Sequence, residues 1–178
     1  MNVVNVSDWP DRAVRLLFAE AAAIIGVDTA GWQLVAGQSV SGQEWGIMIA
    51  PSAAADGPRA RKDRRQAWAR AKFHLRWQTG PVRPPRCGSV LLALLPAAYP
   101  CASEGGVSTA LHEFAHVKQV PELLAGTWTD YSQMREAEDR LEREADEMVG
   151  RALEEQGDRC VRLVADLRGI LARGASAE

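Results

Sequence analysis

Apolar residues recur at helical spacing near the start of the chain and again towards its end. Between Pro10 and Gly26 they stand three or four positions apart, and a proline before the first turn and a glycine after the last are typical helix ends. The segments from Ser132 to about Gln156 and from Asp158 to about Arg173 are also helical in pattern, with Gly157 as the natural break between them. The pattern therefore predicts one early packing helix and two consecutive helices at the end.

Shorter β-prone runs predict strands between these helices. The runs from Trp32 to Ala36 and from Trp45 to Ala50 flank a connection containing glycine and serine, which favours a hairpin. Residues 72–77 alternate polar and apolar, as in a half-buried strand with His74 on its polar side, and the unbroken apolar run from Gly88 to Leu95 is typical of a more central strand. The expected fold is α+β, with a small antiparallel or mixed sheet packed against the helix that contains residues 112–116 and the helix that contains Glu142.

A further helix, with Ser103 as its N-cap and Pro121 at its end, is predicted to carry the chemistry of the chain. It contains the run His112-Glu113-Phe114-Ala115-His116. Residues four apart share one face of a helix, so the two imidazoles can reach one tetrahedral Zn²⁺, and the glutamate beside them can act as general base towards a zinc-activated water. The alternative is a pair of surface histidines on an amphipathic helix.

Catalytic zinc takes three protein ligands and leaves one position open, so a third ligand must come from elsewhere. Glu122 stands where an extended motif has its third histidine, but the glycine which that motif requires is absent; His74 is the one other histidine. Glu144 lies about 200° round its helix from Glu142 and cannot serve the same site. We therefore predict Glu142 as the third ligand, with Asp146 on the same face accepting a ring N–H from a zinc-bound histidine. The alternative for this acidic pair is a solvated helix face.

The two motifs together resemble a known group of enzymes. The histidine motif followed by Glu142-Arg143-Glu144-Ala145-Asp146 is similar to the gluzincin peptidases, in which a Glu on a second helix, followed four residues later by Asp or Asn, completes the metal site. The form Glu-x-x-Ala-Asp looks like that of the membrane CAAX-processing endopeptidases, and Glu-x-Glu-Ala followed by Asp or Asn looks like the soluble ImmA/IrrE family. Size and the lack of a membrane helix favour the soluble family. The resemblance covers residues 103 to about 155 and implies a minimal zincin-like zinc endopeptidase, whose substrate is commonly a DNA-binding repressor.

Composition is consistent with one domain spanning residues 1–178. The chain is 47% apolar and 25% charged, as expected of a globular protein with a real core. The longest apolar run, from Val90 to Leu95, is far shorter than the roughly 20 residues that span a bilayer, and the N-terminus lacks an export pattern, so we expect a cytoplasmic protein with no membrane partner. Its three widely spaced cysteines are expected to be reduced.

Charge is distributed unevenly along the chain. Residues 59–86 carry ten basic residues and one acid, a balance of +9 within a chain whose net charge is −2. This segment also holds Trp68, Phe73 and Trp77, so it could bind nucleic acid and bring a protease to protein on DNA, as in the SprT/Spartan-like enzymes. The alternative is that the aromatic residues belong to the core and the arginines solvate one face or pair with the acidic residues of 135–159.

Two functions follow from these patterns. The first is a zinc endopeptidase that hydrolyses a protein or peptide substrate, such as a DNA-binding regulator, with Glu113 as the general base. The second is a zinc-bound regulatory or interaction protein that no longer cleaves, although a structural site has no need of a general base. Tyr131, His74 and Tyr99 have suitable chemistry for stabilising an oxyanion, and the sequence assigns that role to none of them.

Overall fold

The computed structural model describes residues 2–51, 75–76, 88–125 and 131–175. Within these ranges the chain is α+β, with a small mixed sheet of four main strands and three helices. The elements in chain order are β1 (Asn2–Val6), α1 (Asp11–Ile25), β2 (Gln33–Ser39), β3 (Trp45–Ile49), β4 (Leu75–Arg76), β5 (Ser89–Leu94), α2 (Ala102–Ala125) and α3 (Tyr131–Ala175).

The sheet has the order β1-β2-β5-β3, and the two-residue strand β4 pairs with the end of β2. Strands β1 and β5 run parallel to β2, whereas β3 runs antiparallel to β5. The predicted hairpin between the second and third strands is wrong, because β5 lies between them. All six residues of β5 are buried, and a strand this apolar is stabilised at the centre of a sheet rather than at its edge, as the sequence predicted. The short first strand was not predicted.

Helix α1 confirms the predicted packing helix. It ends at Gly26, whose φ of 77° is a left-handed cap that glycine adopts without a steric penalty. Phe18 on its buried face meets Phe114 of α2 edge to face, with ring centroids 6.2 Å apart. Trp9 lies against Gly106 of α2 and donates from its indole to the Leu95 carbonyl at 2.9 Å. These contacts hold α2 against α1 and the sheet.

Both predicted ends of α2 are wrong. The helix begins at Ala102, and Ser103 lies inside it with its hydroxyl donating to the Glu104 carboxylate at 2.7 Å. It also continues through Pro121 to Ala125. A proline inside a helix removes one main-chain hydrogen bond, and packing between neighbouring helices can offset that loss. Val120, directly before the proline, is buried.

Helix α3 comprises the two helices predicted at the end of the chain. They meet at Gln156, whose φ of −127° and ψ of 26° are not helical, one residue before the predicted break at Gly157. The Gln156 side chain donates to the Ile24 carbonyl at 3.0 Å, which ties the kink to the end of α1.

Several sequence predictions concern residues outside the described ranges. His74 lies there, as does the basic segment 59–86 apart from the two residues of β4. Among the described cysteines, Cys101 is exposed, Cys160 is buried and both are free thiols. None of the described helices is long and apolar enough to cross a membrane.

Candidate metal centre

The packing of α2 determines which of its side chains face the cleft. Leu111 and Phe114 are almost completely buried on the side of α2 that meets the core. His112 and His116 therefore lie on another side of the helix, where they line a cleft between α2, β3 and the first half of α3. Their Nε2 atoms are 3.0 Å apart. The helical repeat thus places the two imidazoles together, as the sequence predicted.

Helix α3 brings Glu142 to the same point. One of its carboxylate oxygens lies 3.2 Å from Nε2 of His112, and the other lies 3.4 Å from Nε2 of His116. These three side chains form a group able to hold a metal ion, and they are the three ligands predicted from the sequence. Glu142 is well exposed, with 61% of its side chain accessible, so the site opens to solvent.

The spacing of the three ligand atoms suits a tetrahedral zinc ion. Bonds of about 2.0–2.1 Å in tetrahedral geometry place the ligand atoms about 3.3 Å from one another. The two imidazole nitrogens are 3.0 Å apart, and each lies 3.2 or 3.4 Å from a different oxygen of the Glu142 carboxylate, which is close to that value. With one ligand atom taken from each residue, all three atoms lie within 4.8 Å of one another. Two imidazole nitrogens and one carboxylate oxygen are also the donor set that zinc takes in peptidases, with a fourth position left for water.

Neighbouring hydrogen bonds fix the tautomers of both histidines. Nδ1 of His112 lies 3.1 Å from a carboxylate oxygen of Asp146, an acceptor, so this ring nitrogen donates. Nδ1 of His116 lies 2.9 Å from Oε1 of Gln119, and the amide nitrogen of Gln119 donates to the Leu141 carbonyl at 2.9 Å. Because that carbonyl can only accept, the amide orientation is determined and its oxygen must accept from His116. With Nδ1 as the donor, the neutral form of each ring has its lone pair on Nε2, which faces the other ligands.

Gln119 is the functional residue that the sequence did not reveal. Its position was considered only as the place where an extended motif would have glycine. It is 6% exposed, and its amide joins His116 to the main chain of α3 directly before Glu142. The sequence does contain one indication of this contact: Gln119 stands three residues after His116, and this spacing places both side chains on one face of a helix.

Gln119 supplies a test of this arrangement. We expect Gln119→Leu to lower zinc affinity about 10- to 100-fold, because the His116 ring loses the acceptor that orients it. Gln119→Glu keeps an acceptor at the same distance but loses the donor to Leu141, so it should restore most of the affinity. Titration of each variant with zinc against a competing chelator measures the effect. Equal losses in both variants would assign Gln119 a purely structural role.

Glu113 is buried beside the predicted ligands. It is 6% exposed, and its Oε2 has no hydrogen-bond partner among the described residues. The pKa of Glu113 is raised from 4.5 to about 8, mainly by desolvation and to a smaller extent by the nearby negative charge of Glu142. The Met48 main-chain N–H donates to the carboxylate and opposes this shift. A buried carboxyl with one free oxygen and a raised pKa is suited to exchange a proton near neutral pH.

Strand β3 forms the opposite wall of the cleft. A Cβ at Gly46 would lie 2.6 Å from Oε1 of Glu113, so a glycine is needed for the strand to approach the helix this closely. Main-chain groups alternate in direction along a strand, and the Ile49 carbonyl faces β5, where it accepts from Gly88. The main-chain groups of Gly46 and Met48 therefore face the outer edge of β3, on the side away from β5. Within the described ranges no strand pairs with that edge.

The other candidates for the third ligand do not join this group in the part of the chain that the structure describes. Glu122 and Glu144 each form an ion pair with Arg140. His74 lies outside the described residues. Of the residues considered for oxyanion stabilisation, Tyr99 is 48% exposed and does not line the cleft, and the side chain of Tyr131 is not among those described.

Comparisons with known proteins add no relative. No protein-family model, no curated protein and no solved structure matches this chain. The functional argument therefore depends on the geometry and chemistry of the site.

Proposed function

We propose that this protein is a zinc-dependent endopeptidase of the gluzincin type, with the ion held by His112, His116 and Glu142. One observation carries the proposal: two fixed imidazole lone pairs and a carboxylate converge within 3.4 Å of one another, beside a buried glutamate. Without a cation these three donors repel each other, whereas a divalent ion between them satisfies all three.

The chain's own residues supply the remaining steps of hydrolysis. Held by His112, His116 and Glu142, a zinc ion would supply Lewis acidity, which would polarise the scissile carbonyl and lower the pKa of the attacking water to roughly 7. Glu113, held by the Met48 N–H, accepts the proton of that water as its oxygen attacks the carbonyl carbon. The same carboxyl then donates the proton to the leaving nitrogen as the peptide bond breaks. The positive charge of a bound ion would lower the pKa of Glu113 and so favour its ionised form at the start of the reaction.

The outer edge of β3 supports a peptide as the substrate. An extended peptide can pair with an open strand edge through main-chain hydrogen bonds, which hold a broad range of sequences in the same conformation. Gly46 presents its main-chain groups on this edge beside Glu113. A peptide bond lying there would pass between the general base and the ligand group.

The alternative, a zinc-bound regulatory protein that no longer cleaves, has less support from the site. A structural zinc site gains nothing from a buried carboxyl with one unpartnered oxygen, which costs free energy of roughly 1–3 kcal/mol. Nucleic-acid binding through residues 59–86 stays a prediction. We further propose, as the reduced cysteines and composition favour, that the chain acts as one domain in the cytoplasm.

Removing and restoring the metal tests the proposed function. The purified protein should hold about one zinc ion per chain, and a strong chelator should remove both the zinc and the cleavage of a fluorescently labelled unfolded protein. Adding back zinc should restore cleavage, whereas magnesium should not, because it prefers six oxygen ligands. Absence of bound zinc after incubation with a stoichiometric amount, or cleavage that survives its complete removal, would refute the proposal.

A further inference from the structure

The cleft that contains the ligand group is strongly acidic. Its volume is about 790 Å³, and no lysine or arginine is among the described residues that line it. Five acids line it instead: Glu44, Glu113, Glu138, Asp139 and Glu142. A zinc ion would balance the charges of two of these, which leaves three carboxylates facing the substrate. The nearby Arg140 does not offset them, because it is paired with Glu122 and Glu144.

Glu44 is the acid of this set whose surroundings indicate that it binds a substrate group. It directly precedes β3, and its side chain lies so close to α2 that a Cβ at Gly105 would overlap the carboxylate. Oε1 of Glu44 is buried and has no hydrogen-bond partner among the described residues, and desolvation raises the pKa of this carboxyl. An unsatisfied carboxylate oxygen destabilises the free protein, and a substrate group that donates hydrogen bonds and carries positive charge would offset that cost.

The position of Glu44 relative to Glu113 indicates where such a group would lie. Glu44 and Gly46 are two residues apart in an extended segment, so their side-chain directions share a face, and both point at α2. On α2 they meet Gly105 and Glu113, which are separated by about 12 Å of helix. An extended peptide advances about 3.3 Å per residue, so the two-residue separation along the strand and the separation of about 12 Å along the helix together correspond to roughly two to four substrate residues.

We propose that the cleft selects basic peptide substrates, with Glu44 as the specificity-determining residue that receives a lysine or arginine side chain two to four positions from the scissile bond. This inference rests on the proposed function, because it treats the metal centre as the point of cleavage. The remaining acids, Glu138 and Asp139 on α3, add to the attraction from the opposite wall of the cleft.

Peptide binding tests this proposal without requiring turnover. The zinc-supplemented Glu113→Gln variant is titrated with two fluorescein-labelled alanine-rich peptides, one containing spaced lysines and the other glutamines at the same positions, and anisotropy gives each dissociation constant. We expect the lysine peptide to bind about tenfold more tightly at low salt. Adding Glu44→Gln should weaken binding of the lysine peptide about fivefold and leave the glutamine peptide unchanged.

Two further variants make the result specific. Glu138→Gln removes another cleft charge at an exposed position, where we expect little effect on folding, and should also weaken binding of the lysine peptide. Glu155→Gln makes the same change at an exposed position outside the cleft and should have no effect. Equal binding of the two peptides, no detectable binding of either, or an equal effect of Glu155→Gln would overturn the inference. Cleavage of unfolded protein without a lysine preference would refute this inference alone, whereas lysine-selective binding without any cleavage would refute only the proposed hydrolysis.

Discussion

We expect Glu113→Gln to remove nearly all hydrolysis of an unfolded protein substrate while the zinc content stays at the wild-type value. Glutamine has nearly the same shape as glutamate but cannot accept a proton, and general-base catalysis contributes about 10²- to 10⁴-fold to rate. The ligand atoms belong to His112, His116 and Glu142, none of which is changed. Parallel measurement of bound zinc and of the cleavage rate for purified wild type and variant gives the result.

The stability of the metal-free variant is the control for this experiment. The pKa of Glu113 is about 8 in the folded chain against 4.5 for an ordinary glutamate, so the folded state keeps a proton that the unfolded state releases. This group therefore contributes less stability as pH rises from about 4.5 to 8. Glutamine does not titrate, so the melting temperature of Glu113→Gln should increasingly exceed that of wild type over this range. Undiminished cleavage by a folded, zinc-loaded variant would exclude Glu113 as the general base.

We expect Glu142→Ala to lower zinc affinity by at least about 100-fold. Loss of a partner that only orients a ligand costs about 10- to 100-fold, and loss of a ligand itself should cost more. The two histidines remain on α2, so weak binding through their nitrogens is expected to persist. Competition with a chromogenic chelator, performed at fixed pH because ligand protonation competes with the metal, measures both affinities.

The matched control for this substitution is Glu144→Ala. It makes the same chemical change two residues away on α3, where the carboxylate pairs with Arg140 at 3.5 Å and does not contact the histidines. An exposed pair of this kind contributes little to stability, so we expect zinc affinity to be unchanged. If Glu144→Ala weakens zinc binding as much as Glu142→Ala, or if neither has an effect, the assignment of the third ligand is wrong.

Elements with strong local signals were predicted well. The helix α1 was bounded by Pro10 and Gly26, and the apolar run of β5 correctly indicated a central strand. The pairing of the strands was not predicted correctly, because β5 lies between the two strands that were expected to form a hairpin. Which edges meet depends on how the whole apolar surface is buried, and a short segment contains no information about residues forty or more positions away.

The sequence by itself determined the chemistry that is available at the site. Helical periodicity alone places His112 beside His116 and Glu142 on the same face as Asp146, because residues four apart meet on a helix whatever surrounds it. Only the tertiary structure decided how far apart those two helices lie, and it also brought the Leu141 carbonyl to Gln119 and Glu113 against Gly46. Burial and distance between segments depend on the packing of the complete core. The raised pKa of Glu113 and the acidity of the cleft are therefore properties of the folded chain.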